Sequence, residues 1–325
     1  MREYSIKLSL LDRLADGAFH SGQSLGEQLG MSRAAISKHI QGIQEWGVDI
    51  FRVQGKGYQL AEPLTLLNQK VIQSEVENTV ELCPIIDSTN QYLLDRIGQL
   101  NSGSVCLAEY QQSGRGRRGR QWVSPFGANL YFSMYWRLDA GMAAAVGLSL
   151  VVGVVVVEAL EQMGFSGVKL KWPNDLYFKD RKLAGILVEM TGQAGGAANL
   201  VIGIGMNIAM QEKENEIDQP WTSLAQVSKQ KRIDRNQLAI QLIKALNEAL
   251  QQYQYTGMQN FVERWNRLDN FIDRQVRLII GPQEIVGIER GIDSHGGVLL
   301  ETKQGIQSYI GGEISLRKNE PDFPN

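Results

Sequence analysis

One short stretch, Gln111–Trp122, constrains this chain more than any other. It reads QQSGRGRRGRQW and places four arginines and three glycines in the seven positions 114–120. Glycine permits positive φ angles and close backbone approach, and arginine offers forked donors that fit carboxylate or phosphate oxygens. Such a segment is costly to order without an anion, because its charges repel one another and its glycines lose much entropy. The fold must therefore present this loop to an anionic ligand.

Two nucleotide-binding fingerprints share the glycine spacing of this loop, and both fail on their surroundings. The glycines match G-x-G-x-x-G, but that fingerprint needs a helix beginning at the last glycine. The next ten residues contain Pro125 and Gly127 and have no helical period. In the P-loop pattern, Arg120 and Gln121 stand where Lys and Ser/Thr are required. Strands are predicted on both sides, which also argues against a disordered RNA-binding arm.

Composition places the chain among globular proteins with more than one domain. Its 325 residues, 43% hydrophobic and 21% charged, suffice for two or three domains, and a net charge of −2 restricts any nucleic-acid contact to a local surface. The separated Cys83 and Cys106 and the polar amino terminus predict a cytoplasmic protein without a membrane partner. Three scattered histidines argue against zinc.

The amino-terminal 62 residues are predicted to form a winged helix-turn-helix that binds DNA. A helix around residues 24–29 is broken by Gly30, and Ser32 can cap the next helix, which runs to about Trp46. Residues 50–53 and 57–60 then flank a turn and read as a hairpin, the wing. The candidate DNA contacts are polar side chains of this unit: Ser21, Ser32, Arg33, Ser37, Lys38, Gln41 and Lys56.

The low net charge of the predicted winged helix-turn-helix indicates that a single copy of the chain would bind DNA weakly. Residues 1–60 carry seven Lys and Arg against six Asp and Glu, a balance of only +1. Strong DNA-binding domains are usually more basic, so a small helical domain that binds protein stays an alternative. A dimer that spans two half-sites would remedy weak binding by one copy.

A mixed α/β unit is predicted to follow over residues 63–270. Residues 87–90 (DSTN) open a helix predicted at 91–97. Helix capping explains one of these polar side chains but four in a row less well, and such groups also suit a polar ligand. The stretch 168–175 (VKLKWPND) is a strand that ends in a turn, and residues 180–185 (DRKLAG) are a second turn before the strand 186–189. Two adjacent turns would bring Lys171, Asn174, Asp175 and Lys182 together as a cradle for an anion and a metal.

Several further segments complete this unit and the next. The apolar run Gly141–Val157 is predicted to be a buried helix, although its valines 154–157 also suit a strand. Residues 200–207 are a buried strand whose glycines permit close approach by a neighbour, and residues 237–253 are an amphipathic helix. Residues 211–219 are predicted to be a mobile loop. Short strands separated by glycine turns predict an SH3-like β-barrel over 271–320.

Five spaced motifs resemble those of bacterial biotin protein ligases. They are DSTN at 87–90, the arginine loop at 111–122, KWPND at 171–175, RKLAG at 181–185 and GGEISLR at 311–317. Together with the winged helix, the chain is similar throughout to the family of bifunctional ligases that also repress the biotin operon. The resemblance implies an α+β multidomain protein with a central domain of the biotin/lipoate ligase type.

The resemblance also implies two half-reactions and a set of site residues. Biotin reacts with ATP and Mg²⁺ to give biotinyl-5′-adenylate, and a lysine of the biotin carboxyl carrier protein of acetyl-CoA carboxylase then displaces AMP. The implied catalytic residues are Lys182, Arg117 and Asp175, with Asp175 also the candidate Mg²⁺ ligand. Biotin contacts are assigned to Ser88, Thr89, Asn90, Gln111, Arg115, Gly116, Arg117 and Lys182. Adenylate or ATP contacts are assigned to Arg118, Arg120, Trp122, Asn174, Asn207, Trp221 and Arg317.

The family pattern links this chemistry to regulation. Biotinyl-adenylate stays bound as the corepressor, favours a homodimer, and the dimer binds the biotin operator. Apolar side chains of the 211–219 loop close over the adenylate in the family, whereas here Ile217 is the only strongly apolar residue of that loop. A lipoate-type ligase and a transcriptional sensor without catalysis are the competing interpretations.

Overall fold

The amino-terminal unit is the predicted winged helix-turn-helix. In the computed structural model, which describes residues 2–61, 64–193, 195–210, 217, 219–228, 233–310 and 314–318, it begins with α1 (Arg2–Leu14), α2 (Gly22–Leu29) and α3 (Arg33–Gln44). The Ser21 hydroxyl oxygen accepts from the Ser24 amide at 3.0 Å, and that of Ser32 accepts from Ala35 at 3.2 Å. Both serines therefore serve as helix caps, and their contact with DNA stays a prediction.

The wing and the outer face of α3 are formed as the sequence predicts. Strands β1 (Ile50–Val53) and β2 (Gly57–Leu60) pair antiparallel around a turn that exposes Lys56. On α3, Arg33, Lys38 and Gln41 are exposed and Ser37 is half-buried. The isoleucines of α3 face inward and join the core of the unit.

A seven-stranded sheet forms the centre of the molecule. Its strands are β3 (Val80–Ile86), β4 (Val105–Gln111), β5 (Asn129–Leu138), β6 (Lys169–Lys171), β7 (Asp175–Phe178), β8 (Arg181–Gly192) and β9 (Ala198–Asn207). They lie in the order β3-β4-β5-β9-β8-β7-β6, and only the β3–β4 pair is parallel. The accompanying helices are α4 (Gln69–Gln73), α5 (Thr89–Leu94), α6 (Leu148–Gln162), α7 (Leu224–Ser228), α8 (Arg235–Thr256) and α9 (Gln259–Leu268).

Helix α6 is the centre of the main core. Every residue of 151–157 is buried, and α6 packs against α8, α9 and strands of the sheet. The alternative of a strand at 154–157 was wrong, because burial on all sides overrides the strand propensity of valine. The predicted helix also begins later than expected: residues 142–145 form a 3₁₀ turn, and α6 starts at Leu148. No helix within the described ranges is long and apolar enough to cross a membrane.

The carboxy-terminal unit is an antiparallel sheet of five strands. They are β10 (Gln275–Ile280), β11 (Gln283–Ile292), β12 (Val298–Thr302), β13 (Gly305–Tyr309) and β14 (Ile314–Lys318), in the order β13-β12-β11-β10-β14. Among the described residues no pairing joins β13 to β14, so the predicted SH3-like barrel is an open sheet here.

Other predicted boundaries were also wrong. Residues 181–185 are not a turn but the start of β8, because the chain reverses at Lys179 and Asp180, which both adopt positive φ. Helix α5 begins at Thr89 rather than at residue 91. Helix α9 was missed altogether. The predicted domain limits at 62/63 and 270/271 stay predictions, since residues 62 and 63 lie outside the described ranges.

The seven-stranded sheet and helices α4–α9 correspond to the predicted ligase-type domain and are called the ligase-type unit below. A buried pair of acids joins this unit to the carboxy-terminal sheet. Asp269 follows α9 and is 4% exposed, and Glu289 on β11 is fully buried. The two carboxyl groups face each other, and burial raises the pKa of Asp269 to about 6. Burial, and then the charge of Asp269, raise the pKa of Glu289 well above its usual value. Lys169 faces Asp269, and Arg274 and Lys171 face Glu289, yet these cations do not offset the burial.

This pair should make folding stability fall as pH rises. A carboxyl group whose pKa is raised by folding costs nothing below its unfolded pKa near 4, and it destabilises the protein as pH rises through about 6. Glu289→Gln is expected to remove much of that loss, so the variant should be more stable than the wild type at pH 8 and differ little from it at pH 4.5. Urea unfolding at the two pH values measures the difference.

The exposed Glu284 on the same strand supplies the matched control. Glu284→Gln should leave the pH dependence of the wild type unchanged, because this carboxylate is hydrated and forms only a 3.5 Å pair with Arg277. Parallel pH profiles for wild type and Glu289→Gln would show that the buried pair does not carry the effect.

Candidate active site

The arginine loop is a closed hairpin between β4 and β5. The Trp122 amide donates to the Gly114 carbonyl at 2.9 Å, and the Gly116 amide donates to the Arg120 carbonyl at 2.7 Å. Arg118 sits at φ 57° in a short 3₁₀ turn at the tip. The loop is thus ordered by its own backbone, and no helix begins at its last glycine, in agreement with the rejection of the dinucleotide fingerprint.

Only two of the four arginines turn toward the sheet. Arg115 pairs with Glu189 at 2.7 Å, and the Arg117 guanidinium donates to the Asn174 side chain at 3.1 Å. Arg118 and Arg120 are exposed, and their contacts with adenylate stay predictions. Burial, and then the neighbouring Arg118, lower the pKa of the Arg117 guanidinium. A bound anion would stabilise this desolvated cation.

A polar network at the start of α5 joins the predicted biotin residues. Gln111 Oε1 accepts from the Thr89 amide at 3.0 Å and from the Thr89 hydroxyl at 3.2 Å. The Asn90 amide group donates to Glu189 at 2.8 Å, the same carboxylate that holds Arg115. Thr89, Asn90, Gln111 and Arg115 are therefore preorganised as one unit. Ser88 caps α5 instead, accepting from the Gln91 amide at 3.4 Å.

A second charged group lies where the two predicted turns meet. Lys182 Nζ is 2.8 Å from Asp175 Oδ1, and the two side chains are only 15% and 16% exposed. Asn174 is held in turn, since its amide group donates to the Ile186 carbonyl at 2.7 Å. With Arg117 on Asn174, these side chains bring two cations and one carboxylate to the same end of the sheet.

The Trp122 ring packs on strands β8 and β9, close to Lys182. The ring lies against Gly205, where an added Cβ would stand 2.5 Å from the ring, and against Gly185, where the distance would be 3.1 Å. Lys182 Nζ lies 5.6 Å from the ring centroid. The expectation that glycines of β9 permit close approach is confirmed, and the indole N–H of Trp122 is buried without a hydrogen-bond partner in the described structure.

The segment 220–222 lies alongside Lys182. The Lys182 amide donates to the Pro220 carbonyl at 3.0 Å, and the Thr222 amide donates to the Lys182 carbonyl at 2.9 Å. Asn207 is buried and donates to the Thr222 carbonyl at 3.1 Å, so it holds this segment, and its contact with adenylate stays a prediction. Trp221 between them lines a cavity of about 640 Å³.

That cavity lies between the ligase-type unit and the winged helix. Its wall includes Gln111, Trp122, Trp221 and Ile217 from one side and Trp46 from the other. The Trp46 ring stacks on Tyr110 and Phe126 with centroids 5.8 and 5.7 Å apart, and its carbonyl accepts from the Phe126 amide at 2.9 Å. The winged helix thus contacts β4 before the arginine loop and the segment between that loop and β5.

Two predicted features fall partly outside the described structure. Of residues 211–219, positions 211–216 and 218 lie outside it, so the predicted mobility of that loop is untested. Strand β14 is described by its backbone, and the predicted contact of the Arg317 side chain lies beyond that description. Gly116 takes part in closing the loop, and its predicted contact with biotin stays a prediction.

Three polar residues of the site were missed from the sequence. The fully buried Ser133 hydroxyl lies 2.7 Å from Thr89 Oγ1 and 2.5 Å from Asn90 Oδ1. Glu189 holds both Asn90 and Arg115, and Ser124 accepts from the Gln111 amide group at 3.2 Å. A lone polar side chain amid the buried residues of β5 was the available indication for Ser133. The partners of Glu189 and Ser124 come from distant segments.

Fold and site together define a class of protein: an α/β domain with a preorganised anion site, joined to a winged helix. The sequence matches the Biotin/lipoate A/B protein ligase family over residues 82–207, an HTH domain over 7–59 and the Biotin protein ligase C terminal domain over 271–317. The chain belongs to the family of bifunctional ligase/repressors.

Individual relatives support this assignment along the whole chain. The Bifunctional ligase/repressor BirA of Salmonella typhimurium is 57% identical over 322 residues, which cover 98% of this chain and 100% of the relative. That of Escherichia coli is 56% identical with the same coverage. The solved biotin protein ligase from Aquifex aeolicus in complex with biotin and ATP is 31% identical with a TM-score of 0.67, over 75% of this chain and all of that one.

Proposed function

We propose that this protein is an ATP-dependent biotin protein ligase and a biotin-responsive repressor. It activates biotin as biotinyl-5′-adenylate and transfers it to a lysine of the biotin carboxyl carrier protein of acetyl-CoA carboxylase. With the adenylate bound as corepressor, its winged helix represses the biotin operon. The observation that carries the proposal is the pair of cation contacts, Lys182–Asp175 and Arg117–Asn174. Lys182 lies beside Trp122, and Trp122 and Gln111 line the cavity.

In the first half-reaction, the biotin carboxylate attacks the α-phosphorus of ATP and pyrophosphate leaves. Negative charge concentrates on the phosphoryl oxygens in the transition state, and Lys182 and Arg117 supply fixed positive charge there. Thr89, Asn90 and Gln111 offer donors and acceptors suited to the uncharged ureido ring of biotin.

In the second half-reaction, the ε-amine of the acceptor lysine attacks the acyl carbon, an amide bond forms and AMP leaves. The attacking amine must lose its protons, and the Asp175 carboxylate is placed to orient it beside Lys182. Within the described ranges, no three histidine, cysteine or acidic side chains converge to hold a metal ion. A single carboxylate suits Mg²⁺ that arrives with the phosphates of ATP, and Asp175 would hold it.

The ligase activity is tested by intact-mass measurement of apo carrier protein incubated with the enzyme, ATP and biotin. The carrier should gain one biotinyl mass, and no gain should occur without ATP. Lipoate in place of biotin should leave the mass unchanged. Modification by lipoate instead would favour a lipoate-type ligase, and no modification by either compound would favour a sensor without catalysis.

We propose that the carrier protein and a second copy of this chain use one edge of the sheet. Strand β7 pairs with β8 only over residues 181–185, so residues 188–192 pair with β9 on one side and leave the other backbone edge open in the described sheet. Met190 on this stretch is 45% exposed. An open edge is a template for strand addition, and competition for it would let acceptor supply decide between ligase and repressor.

Repression predicts a specific response to substitutions on α3. The double change Arg33→Ala and Lys38→Ala should weaken operator binding roughly 10- to 100-fold and lower the salt dependence by about two phosphate contacts. Gel shift of a palindromic site with biotin and ATP measures both quantities, and sedimentation in the same buffer reports the homodimer. The matched control is Lys70→Ala, which removes an exposed lysine of the ligase-type unit and should bind DNA like wild type.

The same gel shift tests corepression. Equal binding of the operator with and without biotin plus ATP would contradict it.

A further inference from the structure

The turn that carries Asn174 and Asp175 is bonded to the carboxy-terminal sheet. Trp172, two residues before Asn174, is 3% exposed, and its indole N–H donates to the Gly296 carbonyl at 3.0 Å. Gly296 lies in the turn between β11 and β12. This buried hydrogen bond therefore joins the catalytic turn of one unit directly to the backbone of the next.

The turn that supplies the Gly296 carbonyl, which accepts this hydrogen bond, is held in one conformation. The Asp293 carboxylate accepts from the His295 amide at 2.8 Å and from the Gly297 amide at 2.9 Å. The Ser308 hydroxyl donates to its other oxygen at 2.5 Å. Gly296 itself adopts φ +81°, and an added Cβ would stand 2.9 Å from Leu150 of α6. The carbonyl that receives the Trp172 N–H thus has a fixed direction.

The catalytic turn is held at its other residues as well. The Ser149 hydroxyl donates to the Pro173 carbonyl at 3.1 Å, and the Ile186 amide donates to the Asn174 carbonyl at 2.9 Å. The bond from Trp172 is the one restraint on this turn, among those described above, that comes from the carboxy-terminal unit. A change in the docking of that unit would reach Asn174 and Asp175 through it.

We propose that Trp172 is a positioning residue for adenylate formation: its hydrogen bond to Gly296 lets the docked carboxy-terminal sheet set the place of Asn174 and Asp175. The proposal rests on the ligase function argued above. Misplacement of reacting groups by about 1 Å can cost on the order of 100-fold in rate. Loss of one restraint out of several should cost less, and we expect about 10-fold.

The test compares Trp172→Phe with Trp136→Phe in the full-length protein. Both tryptophans are buried and both changes remove a ring and one N–H, but the Trp136 indole nitrogen has no hydrogen-bond partner within the described structure. Single-turnover formation of adenylate at saturating ATP and biotin should slow about 10-fold for Trp172→Phe and less than 2-fold for Trp136→Phe. Biotin affinity should stay within 2-fold of wild type for both, because the Gln111 network does not contact Trp172.

A purely structural bond would lower the thermal midpoint of Trp172→Phe and leave the rate constant of the folded enzyme unchanged, which would overturn the proposal. Equal losses of rate and biotin affinity would also overturn it. If Trp172→Phe does not fold, Asp293→Ala tests the other end of the hydrogen bond, because Asp293 holds the turn around Gly296. Adenylate formation should then slow about 3-fold without loss of biotin affinity. An unchanged rate of adenylate formation would overturn the proposal. Wild-type activity in the same experiment reports separately on the ligase function.

Discussion

Replacement of Lys182 by methionine is expected to abolish most adenylate formation while leaving the fold intact. The ammonium group is nearly buried against Asp175 and lies beside the Trp122 ring. In the proposed mechanism it faces the charge that develops on the phosphoryl oxygens. Loss of one preorganised donor of this kind typically costs about 100- to 1,000-fold in rate. Single-turnover synthesis of biotinyl-adenylate from radiolabelled ATP measures the change. A sensor without catalysis would need no such lysine.

Lys182→Met also leaves the Asp175 carboxylate without its partner, so its effect on stability must be distinguished from its effect on the rate. Removal of one partner from a buried pair leaves an uncompensated charge, so Lys182→Met alone should unfold at a lower temperature. The double change Lys182→Met and Asp175→Asn removes that charge and should regain thermal stability without regaining activity. Lys179→Met, at an exposed lysine on the same hairpin, should retain wild-type rates. Activity of Lys182→Met within 10-fold of wild type would remove Lys182 from the mechanism.

Arg117→Gly is expected to uncouple activation from retention of the intermediate. Lys182 and Asp175 remain, so adenylate should still form, but the contact from the arginine loop to Asn174 is lost. A charge-assisted hydrogen bond contributes about 1.5–3 kcal/mol, so release of adenylate should accelerate roughly 10- to 100-fold. The freed mixed anhydride should then acylate lysines of bystander proteins. Dissociation followed by tryptophan fluorescence, and mass spectrometry of added serum albumin, measure the two effects.

Arg118→Gly separates loss of charge from loss of this contact. Arg118 is the next residue, is exposed, and already adopts φ 57°, which glycine accommodates without strain. The Arg118→Gly change removes one positive charge from the same loop, as Arg117→Gly does. Adenylate should dissociate from this variant at a rate within 2-fold of wild type. Equal acceleration by both changes would assign retention to the net charge of the loop rather than to Arg117.

The local features of this chain were largely readable from its residues. The break at Gly30 and the cap at Ser32 predicted the end of α2 and the start of α3. Short apolar segments around a glycine turn predicted the wing hairpin. These features depend on side chains close in sequence, so composition and spacing suffice to indicate them. The buried helix predicted for the apolar run is confirmed, and the alternative of a strand at its valines is wrong.

The candidate site was predicted as a set of motifs but not as a geometry. The resemblance placed Thr89, Asn90, Gln111, Arg117, Asp175 and Lys182 in one site, and the structure brings them together in two neighbouring groups. It could not rank the four arginines of the loop. Their directions follow from backbone angles at the tip, including the positive φ of Arg118, and from partners on other strands such as Glu189.

By itself, the sequence determined the winged helix, the order of the units and the motifs that carry the chemistry, because each is encoded within a short run of residues. Tertiary structure alone decided which arginines contact the sheet, that Asn207 holds a backbone segment, and that Asp269 meets Glu289. It also decided that Trp172 reaches Gly296 across 124 residues of sequence. The physical reason is that hydrogen bonds and burial depend on distance in space, which folding sets only after remote segments have packed together.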